Sequence, residues 1–235
     1  EATVVKANLG ATKSIRARWH PKASLKPEME LLASATNRQL VTLEGGYVHH
    51  DAWLTYEVLR GKLDRLRVAV PVGQRILDVT ADVGVKSWQA AEEAGRQVIT
   101  VELIAAADKS VTLEVHTERA SENGTEIVAG LTDDEVFGIH ALDVVRESGQ
   151  VAVKVGAGLE LSVTEQPGLT RIAAADVDAR LQPGAATAFR FYAPQFRLGV
   201  TVRPIEARVS VTQTTRLLFG DDELRLEASL AYQVE

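Results

Sequence analysis

From Val48 to Val58 apolar and polar residues alternate strictly along the chain. Val48, His50, Ala52, Leu54, Tyr56 and Val58 share one parity, and Tyr47, His49, Asp51, Trp53, Thr55 and Glu57 the other. A period of two is that of a half-buried β-strand, so the first set is expected inside and the second outside. The alternation returns at the far end, with Leu224, Leu226, Ala228, Leu230, Tyr232 and Val234 set against Glu223, Arg225, Glu227, Ser229, Ala231 and Gln233.

Residues Ser34–Leu59 align without a gap on Ser210–Glu235, at an offset of 176 residues throughout. Six of the 26 positions are identical: Ser34/Ser210, Thr36/Thr212, Ala52/Ala228, Leu54/Leu230, Tyr56/Tyr232 and Val58/Val234. Unrelated segments of ordinary composition would share about two. Parity also agrees, and a slip of one residue would turn a core face into water. Ala33, Ala35, Val41 and Leu43 fall on Val209, Val211, Leu217 and Phe219, and Glu44-Gly45-Gly46 falls on Gly220-Asp221-Asp222, two versions of a tight hairpin connection.

The repeat settles a local ambiguity. Pro27 to Ala33 resembles a helix start, with helix formers after a proline. Its counterpart, Ala207 to Thr212, is β-branched and alternating, so a strand is expected over 29–43. A period of this length makes each copy a whole domain. The chain, which begins without Met, is expected to be one repeat period plus the opening hairpin of the next, processed from a longer tandem polypeptide. The other reading is a single β-domain whose first and last hairpins look alike.

Further strands are expected at residues 3–7, at Ile15–Trp19, and through Leu66, Val68 and Val70 up to Pro71. Leu77, Val79 and Ala81 are followed by a bend at Gly84, then by strands over 98–103 and 111–116. Residues 89–95 are Ala/Glu-rich but too short for a stable helix, and read as a loop or one turn. The polar stretch 118–125 is the candidate internal boundary. Beyond it, strands are expected at 125–129, 137–145, 150–155, 159–164, 188–192 and 196–203, with one short helix at 173–181 before Pro183-Gly184. More than a dozen short strands with almost no helix give an all-β antiparallel sandwich, built as one large double sheet or two stacked sandwiches.

Composition adds limits. At 235 residues, 46% hydrophobic and 25% charged, the chain can bury a substantial core. A net charge of −6 argues against nonspecific nucleic-acid binding, and no apolar stretch approaches the 18 or so residues of a membrane-spanning helix. The absence of cysteine excludes disulfides, thiolate metal sites and cysteine nucleophiles.

Tyr56, Val58, Gly61, Leu66, Val68, Val70, Pro71, Val79, Trp88 and the run Val98–Leu103 resemble the repeated β-sandwich regions of large uncharacterised bacterial envelope or secreted proteins. They are more loosely similar to the β-rich N-terminal domain of M1 aminopeptidases. The run Gly149–Val155 with Phe189, Phe191, Phe196 and Leu198 fits the first group better. That resemblance implies an envelope, periplasmic or secreted setting and no activity to carry over. The zinc motif of the second family is absent, so no catalytic residue transfers.

Candidate chemistry is sparse. No nucleophile elbow, phosphate loop, dinucleotide fingerprint or His-Glu-x-x-His motif occurs. His49 and His50 point to opposite faces of a strand and cannot chelate one ion together. His49 and Asp51 share the outer face and could hold a metal weakly, although their counterparts Arg225 and Glu227 read as an exposed charge pair. His50 takes the slot of Leu226 and is expected half-buried with a hydrogen-bond partner. His116 and His140 have no reason to meet. The acid clusters at 133–135 and 221–223 lack the ligand spacing of a calcium loop and read as charged turns. Asn123-Gly124-Thr125 reads as a turn rather than a glycosylation site.

Trp53 falls on the outer face where the second copy has Ser229. With Tyr47 and His49 it forms a candidate ligand or partner surface, or it packs under a neighbouring repeat. The expected role is a noncatalytic structural or interaction module of a tandem β-sandwich protein, without cofactor or metal, contacting neighbouring repeats and a protein or glycan partner. The alternatives are a carbohydrate-binding module and an accessory β-domain of an enzyme whose catalytic domain lies elsewhere.

Overall fold

A computed structural model of the chain describes residues 10, 11, 14, 31–121, 124–132, 135–205 and 209–234. The strands expected at residues 3–7 and 15–19 lie outside these residues, as do the start of the strand expected over 29–43, Asn123, and the acids Asp133 and Asp134. The described residues form an all-β fold. Its strands are β1 (Leu32–Glu44), β2 (Tyr47–Arg60), β3 (Leu63–Val70), β4 (Arg75–Ala81), β5 (Val85–Glu93), β6 (Arg96–Ala107), β7 (Ser110–Ala120) and β8 (Thr125–Leu131). They continue as β9 (His140–Ala141), β10 (Arg146–Val155), β11 (Leu159–Glu165), β12 (Thr170–Arg171), β13 (Ala185–Phe191), β14 (Phe196–Pro204), β15 (Val209–Phe219) and β16 (Leu224–Val234).

The β1–β2 hairpin lies inside a seven-stranded sheet of order β12-β13-β10-β1-β2-β7-β4, which draws strands from both sides of residues 118–125. Its pairs are antiparallel except β1 with β10, which run parallel. Two smaller sheets, β5-β6-β3-β9 and β11-β14-β8, cover its inner face side by side. Ala52, Leu54, Tyr56, Leu113 and Val115 of the large sheet meet Leu66, Val68, Ile99 and Val101 of the first cover. Val41, Leu43, Val48, Val151 and Phe189 meet Val128, Phe196, Leu198 and Val200 of the second. The parity read from the sequence holds, with the even positions from Val48 to Tyr56 buried and Val58 half-buried. At the turn, Gly45 and Gly46 take φ of 61° and 82°, the left-handed pair that a two-residue hairpin favours.

A seam runs between the two covers, and polar side chains close it. There Ile139 donates its backbone N–H to Gln39 Oε1 (3.0 Å), and Gln39 Nε2 donates to the Ile139 carbonyl (2.9 Å), so the carboxamide pairs with a peptide group as a strand would. Asn37 Nδ2 donates to the same carbonyl (2.7 Å) and to Glu147 Oε1 (2.6 Å). Glu147 also accepts from His140 Nδ1 (3.0 Å) and from the Ala141 N–H (3.0 Å). All four side chains are buried.

Three elements differ from expectation. Residues 89–95 do not loop: β5 runs through Glu93, because pairing of Gln89–Glu93 with β6 supplies the ladder that local propensity lacks. The helix at 173–181 shortens to a single 3-10 turn at Ala174–Asp176, since Ala173 offers no side-chain cap and Asp178 is drawn to Arg38. Within 137–145 only β9 pairs as a strand, because that segment crosses the seam, where Gln39 takes the place of a partner strand.

β15 and β16 form a separate two-stranded sheet that repeats the first hairpin's register. Ala35 opposite Tyr56, Val41 opposite His50 and Leu43 opposite Val48 become Val211 opposite Tyr232, Leu217 opposite Leu226 and Phe219 opposite Leu224. Burial does not repeat. Leu54 is 0% exposed and its equivalent Leu230 51%; Tyr56 is 2% exposed and Tyr232 66%. Leu54→Ala should therefore cost about 2–5 kcal/mol in urea unfolding, and Leu230→Ala less than about 0.5 kcal/mol. Equal losses would contradict this placement.

Candidate functional site

Tyr47, His49 and Trp53 share the outer face of β2, but the fold gives them different surroundings. Tyr47 is exposed and its ring lies 6.1 Å from that of His49 at a shallow tilt. Trp53 is half-buried and packs with Leu40 and Ile172 against Val177 and Leu181, beneath the segment that follows β12. Asp51 and His116 separate it from the other two. His116 lies beside Asp51 on β7, with its Nδ1 2.6 Å from Asp51 Oδ1 and its ring edge-on to Trp53 at 6.4 Å. His49 Nδ1 is 3.8 Å from Glu118 Oε2, and Arg75 reaches the other oxygen of that carboxylate at 3.1 Å.

The carboxylates of this face thus have side-chain partners already, Glu118 in Arg75 and His49 and Asp51 in His116. Asp51 has His116 rather than His49 as its partner, and no group of three potential metal ligands occurs among the described residues. The expected charge pair Arg225–Glu227 is present at 3.8 Å, with both side chains exposed.

Interior histidines depart further from expectation. His50 is fully buried, and neither ring nitrogen has a hydrogen-bond partner among the described residues. Burial, reinforced by positive charge on Arg119, His140 and His49, pushes it down to about 3. The Tyr56 hydroxyl is also buried without a hydrogen-bond partner among the described residues, and burial, with the charges of Glu147 and Asp143, pushes its acidity far weaker than usual. Sequence parity placed His50 on the inner face; Asn37 and Gln39, which share the parity of Ala35 and Val41, are buried there as well and mark the seam.

A second outer feature had no sequence signal. Where β1, β10 and β13 run side by side, Arg38, Arg146 and Arg190 line a cleft of about 430 Å³ walled by residues 175–178. Arg38 Nε bonds Asp178 Oδ2 at 2.6 Å. Partial burial works to raise the Asp178 carboxyl, but the Arg180 N–H and Arg38 outweigh it and hold it below the usual carboxylate value.

No protein-family model matches the sequence, and no curated relative matches it. Among solved structures, a two-domain M1 zinc metallopeptidase bound to L-arginine superposes with a TM-score of 0.46 at 11% identity, over 84% of this chain and 47% of that one. An M1 zinc metallopeptidase from Deinococcus radiodurans gives 0.42 at 12%, again over 84% and 47%. Native leukotriene A4 hydrolase from Saccharomyces cerevisiae gives 0.42 at 8%, over 79% and 30%. The chain spans less than half the length of each.

The His50 environment predicts acid sensitivity. Above the ordinary value of 6.5 the imidazole is neutral in both the folded and the unfolded chain. Below it the unfolded chain gains a proton that the folded chain refuses until about 3, so folding weakens by about 1.4 kcal/mol per pH unit across that window. His50→Leu, the residue of the second copy, should remove this slope. Urea unfolding should show wild type losing about 2 kcal/mol more than the variant between about pH 7 and about pH 5. Parallel losses would refute the assignment.

Proposed function

We propose that the chain is a noncatalytic structural and interaction module, one β-sandwich unit of a longer tandem polypeptide. In this reading β15–β16 is the opening hairpin of the next unit, and its apolar face is covered there as β1–β2 is covered here. The observation that carries the reading is the shared register of the two hairpins combined with their opposite burial. An isolated two-stranded ribbon is marginal in water. One that exposes Val211, Leu217, Phe219, Leu226, Leu230 and Tyr232 together on one face calls for a covering layer.

The surroundings of the first hairpin support a reading of that layer as the remainder of a second unit. It is flanked by a parallel strand along β1 and an antiparallel strand along β2, with two small sheets laid over its inner face. The glycan-binding alternative has less support, because the Trp53 ring is engaged in packing rather than presented with Tyr47.

The test is the natural polypeptide read past Glu235. Strands matching those from Gly61 onward at the same offset are expected, with amide protection across β16 rising when the chain is extended through them. A polypeptide lacking such strands overturns the reading, and one that continues into a catalytic fold favours the accessory-domain alternative.

A further inference from the structure

Cross-strand register brings three arginines onto one patch of the large sheet's outer face. Arg38 on β1 sits opposite Gln150 on β10, which sits opposite Arg190 on β13. In the neighbouring row Thr36 sits opposite Ser148, and Arg146 lies two residues before Ser148 on β10. The opposing wall is fixed in place. Gln150 Nε2 donates to the Asp176 carbonyl (3.0 Å), the Asp178 N–H donates to Gln150 Oε1 (2.8 Å), and Arg38 holds the Asp178 carboxylate. The cleft between floor and wall is therefore built by the fold.

Its charges are not balanced internally. Three guanidiniums face the carboxylates of Asp176 and Asp178, a positive excess in a chain of net charge −6. Asp178 is committed to Arg38, and among the described residues no ion pair engages Arg146 or Arg190. Toward β7 and β4 the same face pairs its polar groups with one another, Glu118 with Arg75 and His49, and Asp51 with His116. Guanidinium forks fit the oxygens of a phosphate or carboxylate in pairs, and adjacent hydroxyls add neutral donors.

We propose that this cleft binds a small oxyanion, the phosphate or carboxylate group of a small-molecule ligand. Arg146 and Arg190 supply the charged donors, Arg38 is the pre-positioned third cation, and the Thr36 and Ser148 hydroxyls complete the floor. The site does not depend on the module reading, which rests on the register and opposite burial of the two hairpins rather than on these charges.

The experiment titrates the whole chain with inorganic phosphate, and separately with malonate, following amide chemical shifts with chloride holding ionic strength constant. Saturable shifts at Ser148, Gly149, Gln150 and Tyr192 are expected. In the Arg146→Ala/Arg190→Ala double variant the dissociation constant should rise at least about tenfold, the loss expected for one charge-assisted hydrogen bond. Tighter binding of phosphate identifies a phosphoryl ligand, and tighter binding of malonate a carboxylate. Shifts that grow linearly without saturation, or that saturate equally in a folded double variant, would overturn the proposal.

Discussion

A two-stranded ribbon with apolar side chains on one face has to lose that face to another layer, and the described fold is arranged around meeting this need once. β1 and β2 stand at the middle of the large sheet, so both of their edges are paired and their inner face is shared between two cores. At about 25 cal/mol per Å² of apolar surface, side chains such as Leu54 and Tyr56 make this burial a dominant favourable term. β15 and β16 carry the same ribbon in the same register with its face in water. The difference between the two hairpins is one of surroundings more than of sequence.

Covering one sheet with two creates a second constraint. Where the covers meet, the 137–141 backbone crosses the interior, and an unpaired peptide group there would cost a lost hydrogen bond or more. Asn37 and Gln39 meet that demand from β1 and Glu147 from β10. The equivalents of Asn37, Gln39 and His50 in the second hairpin are Gln213, Thr215 and Leu226. The ribbon is kept between the copies while the polar set that fits this particular seam is not, so a layer over β15–β16 would need a differently composed seam.

Period-two alternation was legible because it depends on neighbours along one strand. It placed every even position from Val48 to Tyr56 inside, and the offset matched Ala35 to Val211 and Tyr56 to Tyr232, which prove to be cross-strand partners in each hairpin. What stayed hidden depends on partners far along the chain. Gln39 meets Ile139 a hundred residues away, and Trp53 is covered by Val177 and Leu181. Arg38, Arg146 and Arg190 share a cleft only because a parallel strand pair sets β10 beside β1. His50 looked like a residue that would find a partner, and its parity told of burial but not of isolation.

The most direct measurement is native-state hydrogen exchange on the monomeric chain, comparing amides of β2 with those of β16. The account predicts that β2 amides exchange only through global unfolding, while those of β16 exchange through local opening at far lower free energy. Equal protection of the two strands would mean that β15–β16 is already covered by its own chain, and the contrast between a buried ribbon and a presented one would be lost.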